Sequence, residues 1–293
     1  MNRSLNSGLA LAAFGAVAFS GKAIIVKLAY RHGVDAVTLI MYRMLFALPL
    51  FALLAWWGGR GRAPLPRRDW LAVLGLGFCG YYLASFLDFA GLQYVSASLN
   101  RLMLYLNPTL VLLLSWLLYR KPVKVAQVVA MAVSYLGVVL VFGHELRLEG
   151  ANVALGAALV FSSALSYAIY LVYSGQVVNR IGSLRLTGLA TGVACVLCIV
   201  QFLLLRPLSA AAVPEPVIWL SLLNAVVCTF VPVLAVMMAI ERIGAGLTAQ
   251  TGMIGPLSTI AMGVLLLGEP FDAWIVAGTA LVLAGVWLLA RGR

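Results

Sequence analysis

The sequence predicts an all-α integral membrane protein whose ten transmembrane helices form two inverted-topology repeats of five helices. Hydrophobic residues fill 63% of the 293 positions and charged residues only 10%, which is too little charge for the surface of a water-soluble chain. The apolar runs are continuous rather than alternating, and their lengths are near the about 20 residues that a membrane-spanning helix needs. The third observation is a stretch that recurs 148 residues further on.

The recurring stretch runs SASLNRLMLYLNPTLVLLLSWLLYRKP at 96–122 and GAGLTAQTGMIGPLSTIAMGVLLLGEP at 244–270. The same offset also aligns glycines outside the stretch. The aligned prolines and glycines are Pro108 with Pro256, Pro122 with Pro270, Gly8 with Gly156 and Gly137 with Gly285. Two prolines and two glycines that coincide at one offset, without a gap, indicate an internal duplication.

Short loops of glycine, proline and charged residues separate the apolar runs. The predicted spans are approximately 8–29, 36–57, 70–92, 97–119, 124–143, 152–174, 185–205, 217–240, 246–267 and 273–290. The first repeat therefore covers 1–143 (spans 1–5) and the second covers 152–291 (spans 6–10). Because five is odd, the second repeat starts on the opposite side of the membrane, which is an architecture known from transporters.

Lysine and arginine in the loops predict the orientation, since cytoplasmic loops of membrane proteins are rich in them. With the N-terminus inside, the outer loops carry only Arg31, Arg147 and Arg206. The inner segments carry Arg3, Arg60, Arg62, Arg67, Arg68, Arg120, Lys121, Lys124, Arg180, Arg185, Arg242, Arg291 and Arg293. We therefore expect both termini in the cytoplasm, and we attribute the net charge of +11 to these basic loops rather than to nucleic-acid binding.

The sequence lacks the motifs that several other classes of protein need for their function. No GxxxxGK[ST] motif for ATP binding occurs, and the spans contain no paired carboxylates, HExxH or Ser/His/Asp set. The cysteines Cys79, Cys195, Cys198 and Cys228 all lie inside apolar runs, where we expect buried, unreactive thiols. The sequence thus predicts no catalytic residues, no cofactor and no metal.

The span order resembles the drug/metabolite transporter superfamily, and more narrowly its ten-helix EamA branch with two EamA repeats over nearly the whole chain. The residues that carry the resemblance are NP at 107–108, GP at 255–256, GEP at 268–270 and the glycine-rich fifth and tenth spans. RKP at 120–122 departs from the pattern, because such repeats often carry an acidic residue there. The resemblance implies transport of a small metabolite across a bacterial inner membrane, usually as export, by alternating access.

Charged residues inside membrane spans are costly and are candidates for function. Lys22, Arg43, Asp88 and Arg101 come from spans 1–4 and fall in the outer half of the membrane. Two interpretations remain open. Asp88 pairs with one of the two arginines, locking helices together while Lys22 reaches outward, or unpaired cations attract a carboxylate or phosphate. An adjacent arginine would keep Asp88 ionised, which argues against proton coupling through it.

Neutral polar side chains extend this candidate pathway. Tyr167, Tyr170 and Tyr173 recur at helical spacing in span six, where a pathway lining and a packed interface are both open. Further candidates are Tyr42, Tyr81, Tyr82, Asn100, Tyr105 and Asn107 from the first repeat, and Asn224, Gln250 and Thr251 from the second. Pro108 and Pro256 free backbone carbonyls in mid-helix, so they are candidate hinges.

The resulting prediction is a non-enzymatic inner-membrane secondary transporter of an anionic or zwitterionic metabolite such as an amino acid, with a central cavity between the repeats. The expected partners are the small-molecule substrate and the lipid bilayer, with possible coupling to a proton or a counter-substrate. Ten helices could form a complete pathway, so we expect a monomer. The alternatives are a multidrug exporter of apolar or cationic compounds and, less favoured, an integral-membrane enzyme acting on lipid.

Overall fold

The computed structural model describes residues 3–104, 106–120, 125–149, 151–251, 254–268 and 272–291, and every long element among them is helical. The α-helices are α1 (Arg3–Tyr30), α2 (Ala36–Gly59), α3 (Arg67–Leu76), α4 (Ala84–Gly91), α5 (Ala97–Leu104), α6 (Asn107–Tyr119), α7 (Val125–Glu149), α8 (Ala151–Ile181), α9 (Ser183–Leu205), α10 (Glu215–Ala225), α11 (Val231–Thr251), α12 (Ile254–Met262) and α13 (Ala273–Arg291). Three π-helical segments interrupt them: π1 (Gly77–Leu83), π2 (Val226–Phe230) and π3 (Gly263–Leu267).

Eight helical segments among the described residues are long and apolar enough to cross a membrane, and they overlap the first eight predicted spans. At the positions predicted for spans nine and ten, the described residues give shorter apolar helices, Ser258–Leu267 and Ala273–Gly285. The protein is therefore an all-helical, multi-pass membrane protein. The count of ten spans stays a prediction.

Some helices are longer than their apolar runs. Helix α8 continues to Ile181, past the predicted end at 174, and α11 runs through 241–245, which the sequence suggested as a loop. Gln176, Glu241 and Arg242 are good helix formers, and no proline interrupts either segment. The helices therefore extend beyond the apolar stretch that identifies them in the sequence.

Helix α2 begins at Asp35, whose side chain accepts hydrogen bonds from the backbone N–H groups of Val37 and Thr38 and from the Thr38 hydroxyl. Its carboxylate also lies 3.2 Å from Nε of Arg206, which follows α9. Partial burial raises the pKa of Asp35, but the hydrogen bonds from Thr38 and the Arg206 guanidinium outweigh it and hold the pKa below its usual value. The carboxylate thus stays ionised as an N-cap at neutral pH.

Contacts at the helix ends join loops that the sequence places on the same side of the membrane. At the predicted outer end, Arg31 Nη2 donates to Leu267 O at 2.7 Å, and His144 Nε2 lies 2.6 Å from Asp272 Oδ2. At the predicted inner end, Arg180 Nη2 lies 2.7 Å from Asp69 Oδ1. The short turn between α8 and α9 depends on Gly182, whose φ of +86° suits glycine.

The helices pack in a small set of pairs. Helix α2 lies along α9, α7 lies along α13, and α1 lies along α10, α11 and α12. Helix α8 lies along π1, α4, α5 and α6. The α7–α13 crossing is close because Gly137 and Gly278 face each other, and a Cβ on either would strike the other's carbonyl oxygen. Small residues at such crossings are typical of membrane helices.

Gly278→Ala is expected to lower the stability of the purified protein by about 1–3 kcal/mol, because the new methyl group forces α7 and α13 apart. Gly192→Ala in α9 is the matched control, since a Cβ there meets nothing within 4 Å. The control should be neutral or gain up to about 1 kcal/mol from helix propensity. Unfolding in detergent measures both, and equal stability of the two variants would contradict the packing described.

Candidate functional site

An ion pair lies inside the first four predicted spans. Lys22 Nζ from α1 lies 2.5 Å from Asp88 Oδ2 of α4, and Asn100 Nδ2 from α5 donates to Asp88 Oδ1 at 2.7 Å. Asp88 and Asn100 are fully buried. Both carboxylate oxygens therefore have partners, and the pair joins three helices. This corrects the first of the two interpretations left open by the sequence, because Lys22 and not an arginine pairs with Asp88. The second interpretation, in which unpaired cations attract an anion, stays a prediction.

A second set of hydrogen bonds connects α1 with α5 and α12. Arg101 Nη2 donates to Ser20 Oγ at 3.3 Å, and Ser20 Oγ lies 2.8 Å from the carbonyl oxygen of Gly255. Gly255 belongs to the second half of the chain and precedes Pro256. The single hydroxyl proton of Ser20 has a second acceptor at 2.8 Å, Ala16 O in its own helix. The first and second halves thus meet at a buried serine that was not a candidate from the sequence.

Arg43 differs from the other charged residues in its surroundings. Its side chain is 3% exposed, and its guanidinium carbon lies 4.4 Å from the centre of the Phe89 ring. Among the described residues, Nε and Nη2 have no hydrogen-bond partner, and no carboxylate forms an ion pair with Arg43. A cation–π contact offsets only part of the cost of burying a charge.

The position of Arg43 follows from helix packing. Helix α2 contacts α4, α9, α10 and π2, so its buried face lies among several helices rather than at the lipid. Arg43 interacts electrostatically with Lys22 and Asp88, and Lys22 also with Arg101. The cluster therefore holds three cations and one carboxylate, and Asp88 is already engaged by Lys22.

Sulfur atoms line the α9 side of this region. Cys195 Sγ lies 3.6 Å from Met44 Sδ, and Cys198 is buried on the same face of α9. Both thiols are free and within electrostatic range of Arg43. Among the described residues, no group of three or more His, Cys, Asp or Glu side chains is placed to hold a metal ion. The two thiols therefore line the α9 side of the region around the Arg43 guanidinium.

Of the other residues in the predicted site, Tyr42, Tyr167 and Tyr170 lie elsewhere, whereas Tyr82 packs against the apolar cluster that contains Phe89 and Cys198. The Tyr42 hydroxyl donates to Ala211 O at 2.6 Å, and Tyr82 packs on Phe78 with ring centres 5.4 Å apart. Tyr167 stacks on Tyr170 at 5.5 Å, in a separate aromatic cluster. That cluster also contains Tyr81, whose ring centre is 5.2 Å from that of Tyr170.

The break between α5 and α6 has a clear cause. Pro108 stands in the first turn of α6 and has no N–H for the carbonyl of Leu104, and Asn107 Nδ2 donates to that carbonyl at 2.7 Å. Asn107 therefore stabilises the break rather than facing the ion pair. Tyr105 lies outside the described residues, as do the side chains of Gln250, Pro108 and Pro256.

Ser20, Phe89 and Ser221 were missed because their residue types are common in membrane helices. Ser221 and Asn224 of α10 are fully buried, and neither has a side-chain hydrogen-bond partner among the described residues. The only signal in the sequence was a lone amide within an apolar span, which had already made Asn224 a candidate.

Multiple apolar helices enclosing a buried, mostly cationic cluster are features of a polytopic membrane protein with a polar interior. The profile of the EamA-like transporter family matches residues 6–143 and 154–291, and the chain belongs to that family. This confirms the resemblance stated from the sequence, including the duplication of the family motif along the chain. The match points to a transporter rather than an enzyme.

Similar proteins from other organisms are also described as transporters. The chain is 33% identical to the uncharacterized transporter YcbK of Bacillus subtilis over 99% of this chain and 93% of the relative. It is 26% identical to an uncharacterized transporter of Archaeoglobus fulgidus over 86% of this chain and 87% of the relative. A solved crystal structure with 18% identity superposes over 98% of both chains with a TM-score of 0.68, which shows a shared fold.

Proposed function

We propose that this protein is a secondary transporter that carries a small anionic or zwitterionic metabolite across the bacterial cytoplasmic membrane, by alternating access between its two halves. The observation that carries the proposal is Arg43, a buried cation without an ion-pair partner among the described residues. A buried charge of this kind persists at a cost, and such residues in membrane spans serve substrate or ion pathways.

The unpartnered atoms of Arg43 indicate the type of ligand. Nε and Nη2 form the side of the guanidinium on which two N–H bonds run nearly parallel, and both lack partners among the described residues. This edge matches the two oxygens of a carboxylate in a bidentate contact. Lys22 is already paired with Asp88, and Arg101 donates to Ser20, so Arg43 is the cation that offers a parallel pair of unpartnered N–H groups.

The helix pairs support two halves related by an inverted repeat. If spans one to five exchange with spans six to ten, the α2–α9 and α7–α13 pairs map onto themselves. The packing of α1 on the eighth and ninth spans maps onto the packing of α8 on the third and fourth. These pairs are the ones expected for a two-fold axis in the membrane plane.

Individual contacts recur at the 148-residue offset. Gly156 packs against Tyr94 and Val95 with no room for a Cβ, and Gly8 packs in the same way against Arg242 and Ile243. Each residue of the second set is the offset partner of a residue in the first. The contact of Gly137 with Gly278 likewise corresponds to that of Gly285 with Ala130.

Two of the three π-helical segments also correspond. Adding 148 to π1 (Gly77–Leu83) gives 225–231, which contains π2 (Val226–Phe230). Such segments are rare and are often found at functional sites. We assign π1 and π2, together with the candidate hinges Pro108 and Pro256, to the places where the halves bend during transport.

The remaining features of the proposal follow from the sequence. Basic inner loops support cytoplasmic termini, and the absence of an ATP-binding motif supports coupling to a proton or a counter-substrate. The proposed direction of transport is export, and the proposed oligomeric state is a monomer. Equal transport by wild type and Asp88→Asn under all pH gradients would reject proton coupling through Asp88.

Counterflow in proteoliposomes tests the proposed activity. Liposomes preloaded with an unlabelled amino acid or organic acid should accumulate the labelled compound by saturable, trans-stimulated exchange. Stimulation only by organic cations or apolar drugs would favour the multidrug exporter. Flux that neither saturates nor responds to preloading would indicate a channel and contradict the proposal.

A further inference from the structure

Two polar side chains of α10 are buried and have no hydrogen-bond partner among the described residues. Ser221 and Asn224 are 0% exposed, and the unpartnered atoms are Ser221 Oγ and both Asn224 Nδ2 and Oδ1. Membrane lipid cannot satisfy such groups, and leaving them unpaired costs free energy. Asn224 is therefore a buried amide whose donor and acceptor both lack a partner among the described residues.

Both residues lie on the buried face of α10, which packs against α1 and α2. They are three positions apart, and Val217 and Cys228 continue the same buried face. Cys228, one turn beyond Asn224, is in electrostatic range of both Lys22 and Arg43. Cys228 also lies against α1, since a Cβ on Gly21 would be 3.0 Å from Cys228 Sγ. Ser221 and Asn224 thus lie on the face of α10 that is turned toward α1 and α2, the helices that carry Lys22 and Arg43.

The depths of these side chains also agree. The start of α2 and the segment before α10 meet at one end of the molecule, where the Tyr42 hydroxyl bonds to Ala211 O and Asp35 pairs with Arg206. From those starts, Arg43 lies about 11 Å along α2 and Asn224 about 14 Å along α10. A small ligand can therefore contact both helices at one level.

The helix geometry beside Asn224 is an independent observation. Segment π2 begins two residues after Asn224, and the Thr229 hydroxyl donates to the Asn224 carbonyl at 2.9 Å. The backbone carbonyl of Asn224, unlike its side-chain amide, thus accepts a hydrogen bond from a side chain at the point where the helix widens. Local π geometry of this kind is often associated with a functional site.

We infer that Ser221 and Asn224 form a neutral subsite that hydrogen-bonds a hydroxyl or amino group of the substrate while Arg43 binds its carboxylate. The inference rests on the proposed function and narrows it to carboxylic acids that carry such a group near the carboxylate. An amide suits either substituent, because Oδ1 accepts from a hydroxyl or ammonium and Nδ2 donates to a hydroxyl. The ligand then bridges the first repeat and the second.

The test uses the purified full-length protein and two matched sets of acids. One set is L-alanine, L-lactate and propionate, and the other is L-phenylalanine, L-phenyllactate and 3-phenylpropionate. Ligand-induced thermal stabilisation gives apparent affinities. In the wild type, the substituted acids of at least one set should bind about tenfold more tightly than the unsubstituted acid. In Asn224→Leu this ratio should fall to near one, with the affinity for the unsubstituted acid unchanged.

The ligand-free stability separates a binding role from a structural one. Asn224→Leu and Ser221→Ala should be at least as stable as the wild type, because they remove unpaired polar atoms. Ser163→Ala is the matched control, since the Ser163 hydroxyl donates to Ala84 O at 2.6 Å. The control should lose stability and keep the affinity ratio.

The outcomes distinguish the inference from the proposed function. If the wild type binds substituted and unsubstituted acids equally, or Asn224→Leu keeps the tenfold ratio, the inference is overturned while the role of Arg43 stands. A marked loss of ligand-free stability in Asn224→Leu also overturns it. If no acid of either set stabilises the wild type, the inference and its basis in carboxylate binding both fail.

Discussion

Arg43→Gln is expected to weaken the binding of a carboxylate substrate by about 100-fold, while the ligand-free protein stays as stable as the wild type or becomes more stable. Truncating one partner of a buried charge pair costs about 2–5 kcal/mol, and about 1.4 kcal/mol corresponds to a tenfold change. The ligand-free protein loses little, because Nε and Nη2 have no partner to lose among the described residues. Thermal unfolding with and without ligand measures both quantities.

Two further variants sharpen this result. Arg43→Lys keeps the charge and removes the parallel N–H pair, so its affinity should lie between those of the wild type and Arg43→Gln. Arg60→Gln removes an exposed cation that lies over Trp56 at a helix end, and should leave affinity unchanged. A large drop in ligand-free stability for Arg43→Gln would make Arg43 a structural residue.

Asp88→Asn is expected to destabilise the protein by about 3–5 kcal/mol, because Lys22, whose side chain is only 19% exposed, would lose its carboxylate while it lies beside other cations. The double variant Lys22→Met with Asp88→Asn removes the unpaired charge and should recover most of the loss. Denaturant or thermal unfolding of the two single variants and the double variant gives the coupling energy.

The double variant is the deciding one. If Lys22→Met with Asp88→Asn is as unstable as Asp88→Asn alone, the ion pair is not the cause of the loss. Asn100 remains buried in every variant and can hydrogen-bond to an amide at 88, so the comparison isolates the charge. Asp88→Asn with wild-type stability would show that Lys22 reaches water or lipid headgroups instead.

The sequence predicted most of the membrane-spanning helices, but it did not predict which side chains pair with the buried charges. Apolar runs identified the first eight spans, and the 148-residue offset aligned Gly8 with Gly156, which make equivalent contacts. Run length gives the depth of Lys22 and Asp88 along their helices but not the direction in which each faces. Helices that are apolar all round carry little amphipathic signal that would supply that direction.

Tyr42 and Arg43 show the limit most clearly. They are neighbours in α2, and both were candidates for one site. A helix turns about 100° per residue, so they face different surroundings. Tyr42 bonds to the segment before α10, whereas Arg43 lies over Phe89 in the interior. The lengths of α8 and α11 were also underestimated, because polar residues continue both helices past their apolar runs.

The most direct test of the account is the charge selectivity of exchange in proteoliposomes. Labelled L-alanine and L-phenylalanine, each beside its carboxamide, would be measured in the wild type and in Arg43→Gln. If Arg43 binds the carboxylate, the wild type should exchange the carboxylate about 100-fold better than the carboxamide for at least one pair. Arg43→Gln should lose this preference and still be folded. A preference that persists in Arg43→Gln, or wild-type exchange that favours the carboxamide, would contradict the assignment of Arg43 as the carboxylate site.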